Sequence, residues 1–409
     1  MEPQDMIKNR DIIIVGQQPW DIEIGSNCKN LAIEFSKHNR VLYINSPLDR
    51  ITLLKRKHEP QIQKRIAVIK GKEEGLIAID HNLWNYYPEA MIESINWLRG
   101  AWLHTILNKY NNRVFARSIK KAAKRLGFKN YILFNDNDIF RCFYLKELLK
   151  PAVSIYYSRD FMLGVDYWKR HGLRLEPKLI AKSDVCVANS VYLANYCKKY
   201  NPQSFYVGQG CDLSIFTSHN DENLPVDVAQ IKKPVIGYVG ALQSLRLDID
   251  LLEFLAKQKP DWSIVLVGPE DGEFQKSDLH QLPNVHFLGS KDPSLLPAYI
   301  ASFDVCINPQ IVNEVTIGNY PRKIDEYLAM GKPTVATRTE AMSVFEDYVY
   351  LGESHEDYLR LIARALAEDS TEKQQARIAF ASTHTWENNA KSIYEAVNHV
   401  ANEAAAATA

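Results

Sequence analysis

Residues 308–337 read NPQIVNEVTIGNYPRKIDEYLAMGKPTVAT. The run DVCINP that leads into it and the PTVAT that ends it are short, apolar and strand-like, whereas IDEYLAM between them has helical spacing. A strand, a polar loop, a helix and a second strand in so short a span form the repeating unit of a parallel sheet. Pro321 suits the first turn of that helix, where its missing N–H costs nothing, with Asn319 or Tyr320 at the cap. A helix that starts there turns its free N–H groups and positive dipole end toward the C-terminal edge of the strands, where an anion binds best. Arg322 and Lys323 add two cations to the same turn, and together these features describe a diphosphate site. Glu326, one turn beyond Lys323, has the chemistry to accept two hydrogen bonds from a ribose diol. The same spacing also fits a plain i, i+3 surface ion pair between Lys323 and Glu326.

Outward from this segment the same scheme repeats. VIGYVG, a helix over 248–257, SIVLVG, VHFLG, a helix over 297–302, DVCINP, a helix over 322–330 and PTVAT make one α/β unit. The first half runs through DIIIVG, RVLYIN, IAVIK, NYILFN, VSIYYS, DVCVANS and FYVGQG as strands, with helices over 27–37, 112–126 and 190–199. Two successive units of similar size predict two doubly wound, Rossmann-like domains. The expected boundaries are 1–217, a polar linker at 218–234, a second domain at 235–380 and a C-terminal helix with a frayed Ala-rich tail at 381–409. That last helix either packs on the second domain or crosses back to brace the first.

A chain of 409 residues is too long for one ordinary core, and 46% hydrophobic with 24% charged residues is a globular composition. Six cysteines lie scattered, without CxxC or metal-site spacing, and several sit inside apolar runs, so they read as core residues in a reducing compartment. No apolar window approaches the roughly 20 residues of a membrane span, and the N-terminus shows no export signal. The expected location is therefore cytoplasmic. Net charge is zero, but of the 49 basic and 49 acidic residues, 33 and 21 respectively lie at or before Ile215, leaving 16 and 28 after it. A basic first half implies an anionic partner.

The segment IDEYLAMGKPTVA resembles the signature of family 4-type GT-B glycosyltransferases, with Glu326, Gly331, Pro333, Thr334 and Val335 in the expected places. Asn313, Glu314, Thr316, Pro321, Lys323, Glu326 and Tyr327 also fit the pattern N-E-x-T, four residues, P-x-K-x-x-E-Y of a cell-envelope and exopolysaccharide subgroup. The resemblance implies two Rossmann-like domains facing a central cleft, the second holding a UDP- or GDP-linked sugar without a metal or other cofactor. It implies donor contacts from Gly240, Gly268, the backbone of Phe287 and Leu288, Thr316, Asn319, Tyr320, Pro321, Arg322, Lys323 and Glu326. Lys323 and Arg246 become the catalytic cations, although Arg246 also reads as a solvated loop residue and the glycines as simple strand ends. One position departs from the family: where its first glutamate stands eight residues before the second, this chain has Gly318, and Asn313, Glu314 or Thr316 is left to take over that sugar contact.

On the first half the resemblance places acceptor contacts at Gly16, Trp20, Asp21 and Arg159, with Trp20 equally suited to packing. Asp160 or Asp21 would be the base of an inverting reaction, whereas retention would use the leaving phosphate. The stretch from Arg99 to Lys129 holds nine Lys/Arg and no acid. Its apolar residues Val114, Phe115, Ile119, Ala122, Ala123 and Leu126 recur at helical spacing and leave Arg117, Lys120, Lys121, Lys124 and Arg125 on the wetter side. That reads either as a solvated helix or as a docking face for an anionic membrane beside a glycan or lipid-linked acceptor. No recognition motif supports nucleic acid. The predicted activity is sugar transfer to an acceptor hydroxyl, against a sugar-nucleotide epimerase or a non-catalytic sugar-nucleotide-binding protein as alternatives.

Overall fold

The computed structural model describes residues 6–21, 26–216 and 224–408. The chain divides into two compact units: the first takes residues up to Gly208 together with Trp386–Ala409, and the second takes Gln209–Thr385. The break therefore falls at Gly208. The stretch read as a linker contains a short helix, Val226–Ala229, and in part lies outside the described residues.

The first unit contains β1 (Asp11–Val15), β2 (Arg40–Ile44), β3 (Leu48–Asp49), β4 (Leu76–Asp80), β5 (Leu83–Tyr86), β6 (Met91–Ile92), β7 (Ile132–Asp136), β8 (Val153–Ser158), β9 (Val185–Ala188) and β10 (Ser204–Tyr206). Eight of these form one sheet in the order β10-β9-β8-β7-β1-β2-β5-β4, with β3 and β6 paired separately. Every neighbour in the large sheet is parallel except β4, which runs antiparallel to β5 at the edge. The central strands are buried end to end, as strands covered by helices on both faces must be.

IAVIK, expected as a strand, is instead the end of the helix Pro60–Ile69. Pro60 opens that helix at its first position, and a short apolar run does not by itself distinguish helix from strand. The basic helix also begins earlier than expected and spans Ala101–Arg125. The C-terminal helix, Trp386–Thr408, belongs to the first unit, where Ala390, Ile393, Tyr394 and Val397 join the core formed by Phe35, Phe134 and Tyr157. Tyr394 Oη accepts a hydrogen bond from Asn39 Nδ2 at 3.0 Å, which fixes the helix in register.

The second unit holds β11 (Val235–Val239), β12 (Ser263–Val267), β13 (Val285–Phe287), β14 (Val305–Asn308), β15 (Thr334–Thr337) and β16 (Tyr350–Gly352). They form an all-parallel sheet in the order β13-β12-β11-β14-β15-β16. This is the doubly wound dinucleotide-fold order, 3-2-1-4-5-6. The strand order reverses between β11 and β14, so a crevice opens beyond their carboxyl ends, and such a crevice is where ligands bind in this architecture. In the first unit the equivalent reversal lies between β1 and β7.

Candidate active site

The crevice of the second unit is built first by backbone. Gly240, just after β11, has φ 150°, and Gly268, just after β12, has φ 153°. A Cβ on Gly268 would lie 1.9 Å from the Gly240 carbonyl oxygen, so the two strand ends approach as only glycine permits. From Gly240 the chain loops through Arg246, and Ile311 N–H donates to the Arg246 carbonyl at 2.9 Å. This joins the loop after β11 to the loop after β14, the two sides of the crevice.

The loop after β14 is an internally bonded frame. Asn313 Oδ1 accepts from the N–H groups of Val315 and Thr316 at 2.8 and 3.0 Å, and Asn313 Nδ2 donates to the Leu245 carbonyl at 2.9 Å. Thr316 is buried and its hydroxyl donates to the Ile311 carbonyl, so that side chain holds the loop in shape. With the Asn319 amide oriented by its hydrogen-bond network, its oxygen accepts from Arg246 Nη1 at 2.9 Å and its nitrogen donates to Val315 O at 3.2 Å. Arg246, exposed along its length, is thereby aimed by Asn319.

Frame and helix meet at Pro321. It is the cap of the helix Arg322–Ala329, one place earlier than the first-turn position expected from sequence, and no side chain caps the helix. Lys323 Nζ lies 2.9 Å from Glu326 Oε2, with Glu326 buried and Lys323 partly exposed. The ion pair suggested by spacing therefore exists, at the mouth of the crevice. The buried Tyr238 hydroxyl is pushed upward in pKa by desolvation; the Arg246 charge opposes that rise and the Glu326 charge adds to it. The charges of Arg246 and Glu326 are thus both felt at the Tyr238 hydroxyl, which lies against Gly240. Arg322 Nε is buried with no hydrogen-bond acceptor among the described residues, a donor of the kind a phosphate oxygen satisfies.

Tyr320 takes a different place from the donor contact expected. Its ring is buried near Phe345 and His384, and its hydroxyl donates to Asp325 Oδ1 at 3.2 Å. Asp325, wholly buried, also lies 2.6 Å from His384 Nδ1 and accepts from Cys211 Sγ at 3.1 Å. Burial, and then the Asp325 charge, push the Cys211 thiol pKa well up, so it stays a neutral donor. Sequence reading missed this knot. Its only signal was an acid at a core-facing helix position, next to a Glu that attracted the attention. At the far side, Leu288 N–H is already donated to Leu266 O at 2.9 Å and the Phe287 ring stacks on His280, so the base-reading atoms expected there are partly engaged.

The corresponding edge of the first unit is arranged differently. Arg159 Nε donates to the wholly buried Asp136 at 2.8 Å, Nη1 to Asp160 at 2.6 Å, and Nη2 to Gln17 Oε1 at 3.2 Å. Burial disfavours the Arg159 charge, but Asp136 and Asp160 outweigh it, so the guanidinium is held charged. Gly16 sits against the Tyr43 ring, facing the interior. Trp20 packs edge-on against Tyr43 at 5.1 Å, the packing role its sequence context allowed. Asp21 keeps one buried carboxylate oxygen without a hydrogen-bond partner among the described residues. On the basic helix, Lys121 and Arg125 are paired with Glu89 and Glu74, and are thereby removed from the cationic face assigned to them. Among the described residues no three His, Cys, Asp or Glu side chains converge as a metal site requires.

Residues 233–368 match the family model described as glycosyl transferases group 1. That match lies within the second unit. The chain is 27% identical over 223 residues to the putative teichuronic acid biosynthesis glycosyltransferase TuaH of Bacillus subtilis (strain 168), a stretch that covers 52% of this chain and 56% of that protein. Among solved structures it is similar to a sucrose-phosphate synthase of Thermosynechococcus elongatus, with TM-score 0.60 and 15% identity over 98% of each chain. It is also similar to Anabaena Alr3699/HepE in complex with UDP, with TM-score 0.56, 14% identity, and 98% and 99% of the two chains covered. A UDP-forming α,α-trehalose-phosphate synthase of Burkholderia vietnamiensis gives TM-score 0.62 at 11% identity, over 98% of this chain and 100% of that one. The fold is GT-B.

Proposed function

We propose that this protein is a glycosyltransferase that moves a sugar from a nucleoside diphosphate sugar, UDP- or GDP-linked, to an acceptor hydroxyl in cell-surface polysaccharide synthesis on the cytoplasmic side. The observation that carries the reading is the pair of mutually bonded loops that follow β11 and β14, with Arg246 aimed by Asn319, and the helix start that follows them, with Lys323 paired with Glu326 and a buried Arg322 Nε that has no acceptor among the described residues. Support also comes from the group 1 family match over this unit, and from the likeness to the Bacillus relative named for teichuronic acid biosynthesis.

Departure of a diphosphate develops negative charge on its bridging and terminal oxygens. Cations already in position stabilise that charge most where it is greatest, in the transition state, and they serve in place of a divalent metal. Glu326 exchanges Lys323 for the ribose diol when the diphosphate occupies the lysine. If the outcome is retention, the acceptor proton passes to the leaving phosphate. If it is inversion, it passes to Asp160, the more exposed carboxylate on Arg159.

The test is thermal denaturation with UDP, GDP, their sugars and AMP. Ligand at about a hundredfold over Kd adds about 2.7 kcal/mol to the native state, a rise of several degrees. A rise with one diphosphate and its sugar but not with AMP is expected, and no rise with any diphosphate would contradict the proposal. Release of nucleoside diphosphate that depends on added acceptor separates transfer from epimerisation and from simple binding.

A further inference from the structure

The basic helix Ala101–Arg125 carries on its outer side a row that is apolar at one end and cationic at the other. Trp102, Leu103, Ile106 and Tyr110 are exposed, Trp102 to 75%, and Trp97 just before the helix is 63% exposed. Trp102, Ile106 and Tyr110 follow one another at four-residue spacing and so lie on one face. Lys109, Arg113, Arg117, Lys120 and Lys124 continue the exposed row toward the helix end and have no ion-pair partner among the described residues. A soluble surface seldom groups aromatic and aliphatic side chains this way, whereas rings with one polar edge beside uncompensated lysines and arginines suit a lipid headgroup layer.

The row adjoins a cavity of about 520 Å³ in the first unit. Its lining includes Trp97 from the loop after β6, Phe140 and Arg141 after β7, Asn111 of the basic helix, Ile51 of the helix Arg50–Arg56 and Tyr167 at the start of the helix Asp166–Lys182 that follows β8. The cavity thus opens at the ligand-binding edge of the sheet, and Ile51 and Tyr167 at its rim are also exposed.

We propose that the row led by Trp97, Trp102, Ile106 and Tyr110 is a docking surface for an anionic bilayer, and that it brings the adjoining cavity to an acceptor carried in that bilayer. Rings and aliphatic groups enter the headgroup–acyl boundary while the five unpaired cations lie over anionic headgroups. The nature of the bilayer-borne molecule rests on the transferase reading, whereas the docking itself does not. The choice of occupant rests on charge: a second copy of this chain would set the same cationic rows against each other.

Flotation of the full chain on vesicles of phosphatidylcholine, with and without phosphatidylglycerol, tests it. The wild type floats with the anionic vesicles and loses roughly fivefold or more of that binding without phosphatidylglycerol or at high salt. The double variant Trp102→Ser/Ile106→Ser and the triple variant Arg113→Gln/Arg117→Gln/Lys120→Gln each lose roughly tenfold. Both keep the wild-type melting temperature and nucleotide-induced shift, because every altered side chain is exposed. Acyl chains carrying bromine quench wild-type tryptophan emission. Failure of the wild type to float, equal flotation of the double variant, absence of quenching, or a dimer dissolved by Trp102→Ser/Ile106→Ser would each overturn the proposal. Flotation as expected with no nucleotide shift overturns the transferase reading alone.

Discussion

The strand-reversal edges of the two units treat positive charge in opposite ways. In the first, Arg159 is clamped between Asp136 and Asp160, so its charge is consumed inside the protein. In the second, Arg246 is aimed by Asn319, Lys323 is paired with the one carboxylate Glu326, and the buried Arg322 Nε has no acceptor among the described residues. The first arrangement holds one cation between two carboxylates, whereas the second leaves cationic donors over, which is the chemistry an anion requires. Under the proposed function the acidic half of the chain carries the anion site, against the lesson of bulk charge, while five cations of the basic half without an ion-pair partner among the described residues line the exposed face of one helix.

Three substitutions sharpen or break that contrast. Arg159→Ala leaves the buried Asp136 unpaired and is expected to cost about 3–5 kcal/mol of stability, read as a fallen unfolding midpoint in urea. A loss below about 1 kcal/mol would mean that the clamp carries little of the fold. Lys323→Ala removes a charge-assisted contact from a partly exposed site, and is expected to weaken nucleoside diphosphate affinity by about 10- to 100-fold with a melting temperature near wild type. Calorimetric titration measures it. Glu326→Gln is expected to weaken nucleotide affinity by roughly tenfold while inorganic pyrophosphate binds as well or better, because Lys323 is released and only the ribose contact is lost. Parallel weakening of both ligands would place Glu326 outside the ribose role.

The smallest expected effect is one of pH on the first unit. His104 is buried with both ring nitrogens unpartnered and stacks on His171 at 3.7 Å; burial first, then the His171 and Arg174 charges, push its pKa down to about 4. The neutral form is native, so its contribution is complete above the ordinary value of 6.5 and is lost as pH falls from there through about 4. His104→Gln should flatten the stability slope in that window, and an unchanged slope assigns it to other groups.

Much of the fold was legible because parallel strands buried on both faces leave continuous Val/Ile runs, and every strand and helix read from 235 to 337 is present. IAVIK failed for the same reason that the others succeeded: an apolar run of four carries no period, and Pro60 decided for helix. β4 and β5, on the outer part of the sheet, and β16 have weaker signals, and all three were missed. At the site, the cationic turn and Glu326 were legible because charge beside Pro321 at a helix start is unusual. The support beneath was not, because Cys211 and His384 are distant in sequence from Tyr320 and Asp325 and only the fold makes them neighbours. Thr316 fitted a family pattern, yet its hydroxyl serves the loop, a distinction that spacing cannot draw.

The most direct test is calorimetric titration of UDP and GDP into the wild type, Lys323→Ala and Arg159→Lys. The account predicts that one diphosphate binds the wild type and Arg159→Lys alike and binds Lys323→Ala at least about tenfold more weakly. Equal binding to the wild type and Lys323→Ala, or loss of binding only in Arg159→Lys, would contradict it.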